Sequence, residues 1–215
     1  MEQRKAIARP RPTEMMAVQP EYKIALRPGD VLLVVDVQHD FLPGGALGVK
    51  RGDEIIPVLN RCIALFTAKT LPVFASRDWH PPDHCSFREQ GGPWPVHCVQ
   101  NTHGAEFSPD LRLPAGTGII NKAGARDSEA YSVFSGTDLD TRLRRAGVRR
   151  IFIGGLATDY CVLNTAKDAH ALGYDYFVLT DAVRAVDVIP GDGDRALEEM
   201  RRLGAHLIES GALAL

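Results

Sequence analysis

The chain has 215 residues, 45% of them hydrophobic and 24% charged, with a formal net charge of −2. That length supports one domain with a substantial core, and the near-neutral balance argues against nucleic acid as a partner. No apolar run approaches the roughly 20 residues of a membrane-spanning helix, and the first residues (MEQRKAIARPRP) lack the apolar stretch of a signal peptide. Residues 1–25 are expected to form an N-terminal extension, flexible or packed on the surface, and residues 26–215 the domain.

Val31-Leu-Leu-Val-Val-Asp36 is nearly continuous in apolar residues, as a strand buried on both faces requires. Ile56, Leu59, Ile63 and Phe66 recur at helical spacing and predict a helix over 53–69. Strands follow at 72–76 and 118–122. Between them, residues 81–113 are rich in Pro, Gly, His and aromatics, too long for a plain connector and expected to be a functional loop. A short helix is expected at 138–146 and a strand at 150–154. A helix from just after Asp159 ends at Gly173, and a strand spans 176–180. A helix over 192–203 and a strand over 205–208 complete the pattern. The arginines 142, 144, 145, 149 and 150 read as the solvated side of a helix and its exit.

Strand–helix alternation predicts an α/β fold: a single-domain, Rossmann-like three-layer sandwich with a six-stranded, mostly parallel sheet and helices on both faces. Ligands of such folds bind outside the carboxyl ends of the strands. Asp36, Asp78, Lys122 and the Ala157–Cys161 turn all fall at or just past predicted strand ends, so they should meet at one sheet edge.

The chemistry-bearing residues fall into two groups. Cys161 stands near the start of a helix, where the helix dipole favours thiolate and free backbone N–H groups can receive an oxyanion. Taken alone, it fits a buried, inert cysteine equally well. Asp36 is placed to move a proton and Lys122 to stabilise charge, and the force of these assignments is joint. In the second group, Asp78 and His80 stand two residues apart beyond a strand, with His84 and His97 from the long loop. Carboxylate plus imidazole suits zinc, iron or manganese. Phe41, Trp94 and Tyr131 flank these groups and would stack on a flat heteroaromatic ring. The four cysteines (62, 85, 98 and 161) form no CxxC pair, which removes a zinc-finger reading and leaves a reducing, cytoplasmic setting as the expectation.

With these residues in place, LLVVDVQHDFLPGGALGV, ASRDWHPPDHCSF, WPVHCVQNTHGAEF and GGLATDYCVLNTAKDAHALGY, in that order, resemble the nicotinamidase branch of the isochorismatase-like cysteine hydrolases. The resemblance runs from about residue 30 to residue 210. It implies a triad of Asp36, Lys122 and Cys161, and a divalent metal, zinc in the first place, held by Asp78, His80 and His97. His84 matches a position that is a ligand in some members only. A cis peptide is implied between Leu156 and Ala157, aiming the Ala157 and Cys161 N–H groups at the oxyanion. The implied reaction is hydrolysis of nicotinamide to nicotinate and ammonia through a cysteine thioester, with pyrazinamide as a side substrate and a homo-oligomer as the assembly. His39 replaces the usual Asn, Ala123 stands where many relatives have Gly, and Val133 where a small residue is common. The competing readings are another amidase of the superfamily acting on a carbamoyl or ureido compound, and a non-catalytic binding module, for which loss of the cysteine or lysine would be expected.

Overall fold

The computed structural model describes residues 23–215. The expected extension therefore lies mostly outside the described residues, but its boundary shifts. Ile24–Ala25 (β1) already pairs in parallel with Leu213–Ala214 (β8), and Ile24 and Leu26 are buried.

Six parallel strands form the main sheet: β2 (Asp30–Val35), β3 (Val73–Asp78), β4 (Gly118–Lys122), β5 (Arg150–Leu156), β6 (Asp175–Arg184) and β7 (His206–Ile208). Their spatial order is β4-β3-β2-β5-β6-β7. The central β2 and β5 are buried at every position. Side chains alternate across the pleat, so each strand feeds two cores. Leu32 and Val34 pack with α1 (Ile55–Ala68), whose Ile55, Leu59, Ile63 and Phe66 form its buried stripe. Val31, Leu33 and Val35 face α2 (Leu139–Arg145), α3 (Leu163–Ala171) and α4 (Asp192–Arg202) through Leu139, Leu143, Ala166, Ala169 and Met200. These layers match the three-layer expectation.

Strand order turns back between β2 and β5, which lie side by side although β3 and β4 come between them in sequence. A crevice opens beyond the carboxyl ends of strands at such a switch point. Several elements run past their sequence limits toward that edge: β3 reaches Asp78, β5 reaches Leu156 and β6 reaches Arg184. The helix after Asp159 begins as a wide π turn, Thr158–Val162, before continuing as α3.

At the opposite sheet edge Arg150 is buried, not solvated as its charge run suggested. Its Nε and Nη2 each lie 2.6 Å from an oxygen of Asp30, the residue facing it in register. Nη2 also donates to the Ala25 carbonyl at 3.0 Å, and Asp30 Oδ2 accepts the Arg27 N–H at 2.8 Å. A buried guanidinium stripped of its partner carries its desolvation cost alone, so Asp30→Ala should lose about 3 kcal/mol or more of stability. A urea midpoint unchanged from wild type would refute that pairing as a structural brace.

Candidate active site

Four strand ends bring the reactive groups together. Asp36 follows β2 with its backbone in the left-handed region (φ 49°). Asp78 and Lys122 end β3 and β4 and face each other in register. Cys161 sits in the π turn after β5. All four are buried.

Lys122 is the hub. Its Nζ lies 3.0 Å from Asp36 Oδ2, donates to Asp78 Oδ1, and reaches the Ala130 carbonyl at 3.2 Å and Cys161 Sγ at 3.4 Å. The Ser76 hydroxyl donates to Asp36 Oδ1 at 2.6 Å. Asp36 Oδ2 forms an ion pair with Lys122, and a carboxylate oxygen of Asp36 lies within 4.8 Å of Cys161 Sγ.

Burial works against the Lys122 charge, but Asp36 and Asp78 outweigh it and hold the ammonium firmly protonated. Burial pushes Asp36 above the usual carboxylate range, against the pull of Lys122. Burial likewise pushes the Cys161 thiol well up, with Lys122 opposing and the two carboxylates adding to the rise. Cys161 is therefore a neutral thiol at rest. The helix start and Lys122 favour thiolate, as the sequence reading has it, but burial opposes them, and proton transfer to Asp36 would supply the thiolate. A base and a thiol that are both raised are better matched for that transfer than an ordinary carboxylate would be.

Beside this group, one donor atom from each of Asp78, His80 and His97 lies within 4.8 Å of the others. His80 Nδ1 faces the Ala123 carbonyl at 3.2 Å and His97 Nδ1 faces the Pro95 carbonyl at 2.8 Å. An Nδ1–H held by a carbonyl leaves Nε2 as the lone-pair nitrogen, the tautomer of a metal-bound imidazole. Burial lowers the His97 pKa, which keeps that ring neutral. Burial tends to raise Asp78, but Lys122 and His80 outweigh it and keep it ionised. One carboxylate and two imidazoles fit a divalent transition ion with positions left open.

His84 is not brought into that set. Its ring lies 4.2 Å from that of His80, but Nδ1 engages Ser86 Oγ at 2.7 Å and Nε2 engages the Ser128 carbonyl at 3.2 Å. Two local oxygens have claimed the nitrogens that ligation would need.

Phe41, Trp94, Tyr131, Asp78, His80, His97, Ala157 and Cys161 line one cavity, together with Tyr160, Leu47, Glu129 and Val186. Trp94 Nε1 donates to the Tyr131 hydroxyl at 2.9 Å, and Trp94 meets the Tyr160 ring edge-on at 5.0 Å. The peptide between Leu156 and Ala157 is cis. Sequence reasoning missed Tyr160, although it immediately precedes Cys161. It also missed Gln38, whose amide accepts the Asp78 N–H at 2.8 Å and donates to the carbonyls of Asp78 at 2.8 Å and Ala105 at 3.0 Å, fixing the end of β3.

A family model described as the isochorismatase domain matches residues 30–212. The chain belongs to that family. Among its members, the nicotinamidase of Escherichia coli strain K12 is 39% identical over 201 residues, covering 84% of this chain and 94% of that one. The pyrazinamidase of Pyrococcus horikoshii, solved in complex with zinc, superposes with a TM-score of 0.82 at 52% identity, over 85% of this chain and 99% of that one. A protein from L. infantum, PnC1, solved with nicotinate, gives a TM-score of 0.84 at 35% identity, over 89% and 98%. Of the three departures from the family pattern, Ala123 has a visible cost: it takes a left-handed backbone (φ 52°) that glycine adopts freely. Its carbonyl is the one that faces His80.

Proposed function

We propose that this chain hydrolyses nicotinamide to nicotinate and ammonia, with pyrazinamide as a second substrate. The observation that carries the reading is the convergence on one cavity of Cys161, Asp78, His80 and His97, with Asp36 and Lys122 buried directly behind Cys161 and Asp78. The relatives named above support the substrate.

In this reading Cys161 is the nucleophile, Asp36 the general base and Lys122 the electrostatic stabiliser. Asp36 takes the thiol proton as the sulfur bonds to the carboxamide carbon. Lys122 stays protonated throughout and balances the charge that passes between sulfur and carboxylate. The backbone N–H groups of Ala157 and Cys161 receive the tetrahedral oxyanion. Asp36 then returns its proton to the departing nitrogen, the C–N bond breaks and ammonia leaves. Water attacks the thioester with Asp36 again as base, which frees nicotinate and restores the thiol. Asp78, His80 and His97 would hold a divalent ion, zinc in the first place, which when bound supplies a Lewis-acid anchor for the ring nitrogen. Phe41, Trp94 and Tyr131, with Tyr160, orient the flat ring, and positioning of this kind supplies several kcal/mol of the rate enhancement.

Asp36→Asn removes the proton carrier and should lower kcat by about 10²–10⁴-fold. Because burial raises Asp36, the acid limb of kcat/KM in the wild type should lie above the ordinary carboxylate range, with rate rising as pH rises through it. An unaltered pH profile in Asp36→Asn would remove the aspartate from the base role.

The deciding experiment follows nicotinate by chromatography with nicotinamide, pyrazinamide and an N-carbamoyl amino acid in parallel. Turnover of the carbamoyl compound alone would replace the proposed substrate, and turnover of none would favour a binding module. The cytoplasmic setting belongs to this reading and is supported by four unpaired cysteines. No helix among the described residues is long and apolar enough to cross a membrane. We also expect the chain to assemble with itself, which sedimentation velocity reads directly.

A further inference from the structure

A second trio of metal-donor side chains stands outside the cavity. His39 opens the 3₁₀ turn His39–Phe41 and His103 opens the turn His103–Ala105. Their rings lie 3.9 Å apart, tilted by 33°. His103 Nδ1 is 3.2 Å from Glu106 Oε2. One donor atom from each of His39, His103 and Glu106 lies within 4.8 Å of the others. His39 is half-buried, and the other two are exposed.

The backbone beneath them is tied together. The His39 N–H donates to the Glu106 carbonyl at 3.0 Å, and Gln38 and Phe107 form an antiparallel bridge. Between the two turns the Asp40 carboxylate accepts the Cys98 N–H at 2.7 Å. It also packs so closely on Gly104 that a Cβ there would fall 2.0 Å from Asp40 Oδ2. The turns are thus held relative to each other without any help from the three donor side chains. Only side-chain rotamers remain to be ordered, which keeps the entropic cost of gathering three ligands low.

We propose that His39, His103 and Glu106 form a second, solvent-facing site for a divalent transition-metal ion. Two imidazoles and a carboxylate select zinc, nickel or copper over magnesium and calcium, which prefer oxygen-only shells. Exposure makes the ion exchangeable and the site weaker than the buried group at Asp78.

The test is a calorimetric titration of chelator-stripped, full-length protein with Zn²⁺, repeated with Mg²⁺. Wild type should show a tight event and a weaker one with Zn²⁺, and no weaker event with Mg²⁺. His39→Asn and His103→Gln should each abolish the weaker event, and Glu106→Gln should weaken it by about tenfold. The tight event and amide turnover should be unchanged in all three. His206→Gln is the control, since that exposed histidine belongs to neither cluster, paired with Asp175 at 3.0 Å and stacked on Phe177. A single event in wild type, a weaker event that survives both histidine variants, or one lost in His206→Gln would overturn the proposal. Loss of the tight event alone bears on the buried group and leaves this one standing.

Discussion

Cys161→Ala should abolish ammonia release from nicotinamide, lowering kcat by at least about 10⁴-fold, while the protein still folds and binds its metal. The reason lies in how the sulfur is held. Lys122 keeps Asp36, Asp78 and the Ala130 carbonyl when the sulfur is gone, so no buried charge is left alone. The donor set of Asp78, His80 and His97 does not include the sulfur. The loss should therefore appear in kcat and not in stability or metal content. Hydroxylamine adds a second readout. It attacks a thioester to give a hydroxamate and the free thiol, so wild type should divert part of its product to the hydroxamate and Cys161→Ala should form none. The other cysteines are poor substitutes. Cys62 and Cys98 are fully buried, and burial pushes Cys62 up to about 12. Substantial turnover by Cys161→Ala would end the covalent mechanism and with it the role given to Asp36.

What could be read from the sequence depended on how local the cause was. The β2 and β5 runs were legible because a parallel strand between two helical layers must be apolar on both faces. The last two residues of β3 were not, because both are polar: Arg77 pairs with Asn121 of β4 and Asp78 with Lys122. The triad and Asp78 were readable because each falls at or just past a strand end, where the sheet does the converging; His80 follows two residues on, and His97 comes from the loop between β3 and β4. His84 was grouped with them by its place in the long loop and by a resemblance in which that position is a ligand in some members only. Its fate was decided by Ser86 two residues away and by a carbonyl at Ser128, a contact no periodicity encodes. Arg150 was misjudged for the same reason, since its carboxylate partner lies 120 residues earlier. Gln38 acts through the backbone of Asp78, 40 residues on. The β1–β8 ribbon is two residues long on each side, too short to leave a pattern.

His80→Ala should lower metal affinity by at least about 100-fold and raise KM for nicotinamide by at least about tenfold. His80 is buried, with Nδ1 on the Ala123 carbonyl and Nε2 3.6 Å from Asp78 Oδ2. Its removal takes one of three donors, and two remaining ligands seldom hold an ion against water. It also leaves a cavity, so a companion variant is needed. His97→Ala removes a different donor from a different part of the loop, and the two variants share no backbone contact through their Nδ1 atoms. If metal is what they have in common, both should lose it, and added zinc should partly restore KM in each. Lys122, Asp36 and Cys161 keep their mutual distances in both variants, so residual turnover at saturating substrate should exceed that of Cys161→Ala. Full metal occupancy with unchanged KM in both variants would show that these imidazoles are structural, and the ring nitrogen would then need another anchor among Trp94, Tyr131 and Tyr160.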